Sequence, residues 1–532
     1  MTVIGAGWAG LAAAVHLVRA GRGVRLLDAA PQAGGRARRV TLQWEHPSEG
    51  VNRIDVDNGQ HLLLGAYTEV LDLLEVIGAV PESRLQRRPM RLASSSGLLL
   101  ERPDFADRNP LSGGSGLGSV LLAPLSSLSP LLGLIRARGL SPGSRWAMVR
   151  ALAQLRLGGW RAPPSVRTVA QWYRHARQPA ELIERVWQPL VISALNTPAE
   201  SACAATFLTV LRDSLGGSPA ASDFILPQRN LSDLFVDPVV AWLRQHGAEL
   251  ILRSDVRRIE RGSACRYRVV GGDRNADAPL SIECQEVVIA TPPYVSARVL
   301  EGLAEASLIG ELKRFQYLPI TTAYLGWPQE VLTRDGAGHA ATVPALVSLR
   351  ESAAAHRYAQ WFFDRGPQAG WRIGALVLSD SRAAREVGDS RLEEALRRQV
   401  EEELALPAPT RLSLIHEKRA TIACTPDRPR LLPDAAGPRL PGLALAGDYM
   451  YFNYPATLEG AVRSGRVAAE AIAPAESGGY GQRDTAYQAA ASASSIRSAA
   501  TTSNPSMPRF GALARGAMTL PKPSLTASRS RS

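Results

Sequence analysis

Lysine is nearly absent from this chain: of 61 basic residues in 532, only Lys313, Lys418 and Lys522 are lysines and the others are arginines. The arginines are scattered rather than gathered into a stripe. A formal charge of +12 therefore marks no nucleic-acid-binding surface, and no nucleic-acid partner is expected. Cysteine is scarce too. Cys203, Cys265, Cys284 and Cys424 stand far apart with no Cys-x-x-Cys pair, which argues against a disulfide framework and a thiolate zinc site. The eight histidines show no ligand spacing, so no metal is expected. No basic segment precedes the apolar stretch 5–20, which reads as strand, loop and helix rather than a signal peptide. The uncharged run 109–135 is interrupted by Pro110, Pro124 and Pro130; it reads as an apolar lip that dips into a bilayer or covers a greasy substrate, not as a span. Unpaired thiols without a leader point to the cytoplasm, with peripheral contact at the inner membrane face.

What is present is a globular composition, 45% hydrophobic and 21% charged, in a chain long enough for two interwoven domains plus extensions. Residues 1–4, 11–20 and 24–28 form a β-α-β unit with Gly21 ending the helix. Only four residues precede Gly5, so the true start is expected upstream. Further helices are expected at 67–77, 146–157, 166–175, 180–192, 204–215, 234–246, 391–403 and 457–472. Strands are expected at 249–253, 266–270, 286–290, 317–327, 371–378 and 443–446. Beyond about residue 475 the chain turns to Ser, Ala, Gly, Thr and Arg, the composition of a disordered tail.

Chemistry is concentrated at the two ends of the ordered region. Gly5-Ala6-Gly7-Trp8-Ala9-Gly10 lies between the first strand and its helix. There glycines permit a tight turn, close approach of a pyrophosphate to the helix N-terminus, and close helix-strand packing. Asp28 ends the second strand, where a carboxylate accepts hydrogen bonds from ribose hydroxyls. Strand, helix, strand and acid together specify a dinucleotide site.

Gly34-Gly35-Arg36 follows the acid, and Gly447-Asp448 stands before Pro455-Ala456-Thr457-Leu458-Glu459-Gly460 near the far end. With these segments the chain resembles the monoamine oxidase and phytoene desaturase superfamily of flavoproteins. The resemblance implies an α/β fold: a Rossmann-like FAD-binding domain of the GR2 type (1–86, 224–298 and 411–474) interleaved with a mixed α+β substrate domain (87–223 and 299–410), then the disordered tail 475–532. It implies FAD as cofactor. It assigns FAD contacts to Gly5, Gly7, Trp8, Ala9, Gly10, Asp28, Gly34, Gly35, Arg36, Gly59, Gln60, Val256, Gly447, Asp448, Thr457 and Leu458. Pro227-Gln228-Arg229 stands where many members carry Pro-x-Gly-Gly, and the run Pro319-Ile320-Thr321-Thr322 lacks the lysine that amine oxidases place near the flavin. Within the superfamily the chain is most similar to the squalene-associated branch, the hydroxysqualene dehydroxylases of hopanoid biosynthesis. That similarity is carried by Gly7-Trp8-Ala9-Gly10-Leu11-Ala12, Asp57-Asn58-Gly59-Gln60-His61, Trp187-Gln188-Pro189-Leu190 with Asn196-Thr197, Pro319-Ile320-Thr321-Thr322 and Gly447-Asp448-Tyr449.

The branch implies loss of an allylic hydroxyl and hydride delivery from reduced flavin, giving squalene. Such a cation needs electron-rich surroundings and exclusion of water. Tyr449, Tyr451, Phe452 and Tyr454 either line the reacting centre or fill a strand-to-helix corner, and His61 and Asp57 are both candidate proton sources. Trp187-Gln188-Pro189-Leu190 either packs a helix end or meets substrate. The expected partners are a long apolar isoprenoid held in a Leu-rich tunnel and an electron donor that no motif specifies. An oxidative carotenoid-type desaturase, an amine oxidase and a non-catalytic flavin-binding scaffold share the same cofactor motifs.

Overall fold

The computed structural model describes residues 1–79, 84–102, 133, 136–332, 343–431 and 440–473. Apart from Gly133, the uncharged run 109–135 lies outside the described residues, as does the tail 475–532.

The first sheet is parallel and draws its strands from distant parts of the chain, in the order Glu249–Ile251, Arg25–Leu27, Thr2–Ile4, Val287–Ile289, Leu443–Leu445. Both faces are covered, so apart from Thr2, Arg25 and Glu249 at their first positions the strands are apolar rather than alternating. Val3, Leu26, Val288 and Ala444 turn toward the helices Trp8–Arg19 and Leu458–Ile472. Ile4, Leu27, Ile289 and Leu445 turn toward a three-stranded antiparallel sheet, Ser254–Arg261, Tyr267–Asp273 and Ala278–Cys284. The two helices touch backbone to backbone: a Cβ on Gly465 would lie 2.2 Å from the Ala9 carbonyl oxygen. The N- and C-terminal ends of the described chain are therefore packed together on one face.

The second sheet is antiparallel, ordered Leu346–Ser348, Trp361–Gln368, Trp371–Ser379, Tyr317–Pro328, Arg411–Ile422. Period-two alternation divides its side chains. Ala323, Leu325, Trp327 and Phe362 pack on the helix Asp389–Leu404 through Leu392, Leu396 and Val400. Tyr324, Trp361, Phe363 and Val377 face the helices Pro142–Leu157, Val169–His175, Gln188–Leu195 and Ala204–Leu215. Trp187 is the hinge of that layer, edge-on to Trp172 at 5.3 Å and to Phe207 at 6.4 Å between ring centroids.

The expected helices are found, with two informative departures. The helix expected over 180–192 is Ala180–Leu182, a π-helical turn Ile183–Trp187, and then Gln188–Leu195. The helix expected over 234–246 likewise opens with a π-turn, Ser232–Val236, before Asp237–Gln245. Pro189 and Pro238 follow these turns, and a proline cannot donate the regular helical bond, so the wider turn absorbs the missing N–H. One expected boundary is corrected. Arg411–Ile422, assigned with the nucleotide-binding segments, pairs with Tyr317–Pro328 and belongs to the second sheet.

Candidate functional site

The first strand ends at Ile4, and Gly7 is the N-cap of Trp8–Arg19, with neither a side-chain cap nor an acidic residue in the first turn. Its N-terminal amides and the positive end of the helix dipole are thus available to an anion. A Cβ on Gly10 would lie 1.8 Å from the Gly5 oxygen, so Gly10 keeps the helix against the loop and does not itself line the cavity. Gly7 differs. Its added Cβ would find nothing nearer than Gly35 Cα at 3.9 Å, so a side chain there would fill the cavity instead of clashing with the fold. Asp28 Oδ2 accepts from Ala6 N at 2.6 Å and Oδ1 from Ala30 N at 2.7 Å; burial raises its pKa, and these two amides oppose the rise.

Gly34 N donates to Ala6 O at 2.8 Å, laying the Gly34-Gly35-Arg36 turn along the first glycine loop. The Arg36 guanidinium donates to Asp448 Oδ2 and to Ala420 O, both at 2.8 Å. Burial opposes the arginine's charge, but Asp448 outweighs it and the pKa rises. One ion pair thereby joins residues 412 positions apart. Gly447 N is held by Ser464 Oγ at 2.8 Å, and Thr457 Oγ1 caps Leu458–Ile472 by accepting from Gly460 N at 3.1 Å.

These groups line one end of a cavity of about 870 Å³. Of the expected cofactor contacts, all except Gly10 line it: the glycines 5, 7, 34, 35, 59 and 447 with Trp8, Ala9, Asp28, Arg36, Gln60, Val256, Asp448, Thr457 and Leu458. The elongated cradle, open over Gly7, fits a dinucleotide. Gln60 Oε1 is a buried acceptor without a protein partner, suited to a donor on the bound group.

From the cradle the cavity continues between the second sheet and the helical layer. Its walls there include Met148, Leu152, Trp187, Leu190, Phe207, Ile320, Trp361, Phe363 and Val377. Trp187 both packs in the helical core and faces the cavity, with Nε1 fixed by Gln178 Oε1 at 2.8 Å; Gln188 and Pro189 do not line it. Asn196, named in the sequence only as part of a resemblance, forms with Thr421, which sequence reasoning missed, a polar group at the junction. Asn196 Nδ2 donates to Thr421 Oγ1 at 2.8 Å, and Asn196 Oδ1 accepts from Asp380 N at 2.6 Å. Both residues line the cavity with Ser379, Thr322 and Glu417, whose Oε2 accepts from Asn58 Nδ2 at 3.2 Å. Asn196 caps Gln188–Leu195 in a left-handed conformation, φ +46°, a cap asparagine tolerates.

The expected proton sources are rearranged. Asp57 does not line the cavity: it is buried behind the site, accepting from Leu231 N at 2.7 Å and lying 3.7 Å from the Arg365 guanidinium. Burial pushes its pKa up to about 6, against the opposing charge of Arg365. His61 does line the cavity, but burial pushes it down to about 4, and with Nδ1 donating to Gly59 O at 2.5 Å its Nε2 is an acceptor. A neutral imidazole so held is a poor proton donor. Of the aromatic cluster, Tyr449 and Tyr454 line the cavity and Tyr451 does not. Tyr449 packs edge-on to Phe315 at 5.6 Å, its hydroxyl 3.3 Å from Ser296 Oγ, and Tyr451 packs edge-on to Tyr454 at 6.1 Å. Phe452 lies under Arg430, 3.8 Å from the ring centroid. Among the described residues no lysine lines the cavity and no cluster of metal-binding side chains occurs.

A family model for flavin-containing amine oxidoreductases matches residues 8–473. A hydroxysqualene dehydroxylase of Zymomonas mobilis is 26% identical, covering 88% of this chain and 97% of that protein. One from Rhodopseudomonas palustris is 27% identical over the same shares. A probable zeta-carotene desaturase of Synechococcus elongatus is 25% identical, covering 90% of this chain and 99% of that protein. Wild-type putrescine oxidase bound to putrescine shares the fold, with a TM-score of 0.59 at 15% identity over 88% of this chain and 98% of the other. The match runs from the glycine loop to the last helix that closes the cradle, and the chain belongs to the flavin-containing amine oxidoreductase family as an FAD-dependent oxidoreductase.

Proposed function

We propose that the protein converts hydroxysqualene to squalene by reductive loss of the allylic hydroxyl. The observation that carries this reading is the composition of the cavity: apolar and aromatic walls leading to a polar pair, Asn196 with Thr421, set among Ser379, Thr322 and Glu417 beside the cradle. FAD would be held by the Gly5–Gly7 loop, Asp28, Arg36, Val256, Asp448 and the capped end of the last helix, and in its two-electron-reduced, doubly protonated form it would supply both the hydride and the proton with which the hydroxyl leaves as water.

The chain's own residues have three tasks. The Leu, Met and aromatic walls exclude water, so that a forming allylic cation is not captured as an alcohol. The faces of Trp361, Phe363 and Tyr454 and the Glu417 carboxylate offer electron density to positive charge. Thr421 accepts from Asn196, which leaves its own O–H to donate to the departing oxygen. A hydrocarbon such as a carotene has no oxygen for that donor to meet. The same walls would nonetheless suit a carotenoid, and the Synechococcus elongatus relative makes oxidative desaturation the reading to test against.

The test is an anaerobic mixture of photoreduced holoprotein and hydroxysqualene, with flavin absorbance followed and lipids extracted for mass analysis. Reoxidation with stoichiometric squalene is expected. Stable reduced flavin with untouched substrate would remove the proposal.

A further inference from the structure

We propose that the outer face of the helix Pro142–Leu157 docks on an anionic bilayer surface and sets the open end of the cavity against the lipid. At about 100° per residue, Trp146, Ala153 and Leu157 fall within about 40° of one another. Ala147, Met148, Ala151, Leu152 and Leu155 occupy the opposite, buried side. The inner side is cavity wall, through Met148 and Leu152. The outer side is not polar, as a solvent-facing side ordinarily is. Trp146 is 67% and Leu157 91% exposed, two of the five large hydrophobic side chains exposed among the described residues.

Charge selects the occupant. The helix carries Arg145, Arg150 and Arg156 and no acidic residue. The exposed Arg156 flanks the Trp146–Leu157 line on one side, where its long stem can follow apolar surface while its charge reaches a phosphate layer; Arg150, on the other side, is held by the Ala176 and Arg177 carbonyl oxygens, both at 3.2 Å, and adds its positive charge to the same face. A second copy of this face would bring arginine against arginine. No described helix is long and apolar enough to cross a membrane, which leaves an interfacial contact as the way this face can meet lipid. At the C-terminal end of the helix the exposed Arg156, together with Trp160, also lines the cavity, as do Asp213 and Leu215 at the end of Ala204–Leu215. Docking would thus place the cavity's opening where a water-insoluble substrate is dissolved. Only that purpose rests on the proposed squalene chemistry; the contact itself does not.

The test floats full-length, FAD-loaded protein with vesicles of phosphatidylcholine alone or mixed with phosphatidylglycerol. Expected is salt-sensitive flotation with the phosphatidylglycerol vesicles, lowered about tenfold or more by Trp146→Glu with Leu157→Glu. Val51→Glu, at an equally exposed apolar residue on the hairpin of the nucleotide half, should leave flotation unchanged. Circular dichroism and flavin content confirm that each variant is folded. The proposal is overturned if wild type does not float, if the double variant floats as well as wild type, or if wild type dimerises through this face and the double variant does not. Turnover in detergent separates the two readings: wild type that floats normally without converting hydroxysqualene removes the substrate assignment and leaves the docking.

Discussion

Replacing Thr421 by valine removes one oxygen from the cavity and almost no volume. In the wild-type protein Asn196 Nδ2 donates to Thr421 Oγ1 at 2.8 Å, and the threonine hydrogen is left for a ligand oxygen. A neutral hydrogen bond contributes a net ~0.5–1.5 kcal/mol, so hydroxysqualene should bind the variant about two- to twelvefold more weakly. Squalene has no oxygen and should bind both proteins equally. The variant also leaves Asn196 Nδ2 without its acceptor, at about 1–3 kcal/mol of stability, so a lower melting temperature is expected and is not the discriminating readout. Asn196→Asp provides the complement. It retains an oxygen for Asp380 N but presents a second acceptor to Thr421, whose hydrogen then turns from the cavity to the carboxylate. It too should weaken hydroxysqualene binding and spare squalene. The assay is titration of the oxidised holoprotein with each lipid in detergent, read by the flavin absorbance difference. Equal losses for both lipids, or no loss for either, would refute the role given to this pair.

Three further outcomes follow from the geometry. Gly7→Ala should leave the apoprotein's melting temperature near wild type, because its Cβ meets nothing closer than 3.9 Å, yet abolish flavin content; Gly10→Ala, 1.8 Å from the Gly5 oxygen, should unfold or fail to express. Asp448→Ala strands the Arg36 guanidinium and should cost about 2–3 kcal/mol in denaturant unfolding of the apoprotein, a value reduced for the arginine's partial exposure, while Asp448→Asn costs less. His16 is pushed down to about 4 from 6.5, mainly by burial with Arg466 and Arg19 adding to it. Between those values the unfolded chain binds the proton and the folded one does not. The stability His16 leaves intact above pH 6.5 is therefore lost as pH falls toward 4, by about 2–3 kcal/mol. Melting curves across that window should be flatter for His16→Gln by the same amount.

The legible parts of the fold are those where one residue type has one physical reason to be there. The Ala- and Leu-rich helix after Gly7, the apolar runs at 287–289 and 443–445 and the strand Tyr317–Pro328 are long or pure enough to show their period. The strand Arg411–Ile422 is not. Ser413, His416, Glu417, Lys418 and Arg419 erase its alternation, because it lies at the sheet's edge with its side chains largely half-buried or exposed. Trp361–Gln368 hides for a related reason: Asp364, Gly366 and Pro367 spell a turn, and the structure uses them for a shift of register between paired strands.

The site divides along the same line. Its glycines are readable, since backbone approach demands them wherever the partner lies. Side-chain roles depend on parity and pairing, which spacing does not disclose. Asp57 ends the hairpin strand Gly50–Asp57, and its carboxylate meets Leu231 and Arg365 while Asn58, Gly59 and Gln60 take the cavity; a shift of one position decides between a proton source and a buried anchor. Asn196 and Thr421 are 225 positions apart and meet because a π-turn before Pro189 sets where the following helix ends and because an edge strand brings Thr421 to that end. Neither condition has a signature in the residues themselves. The reaction proposed here therefore depends at one end on a cradle whose every glycine is visible in the chain, and at the other on a two-residue contact that only the assembled sheet creates. The second end is what should differ between the relatives named as hydroxysqualene dehydroxylases and those named as zeta-carotene desaturases.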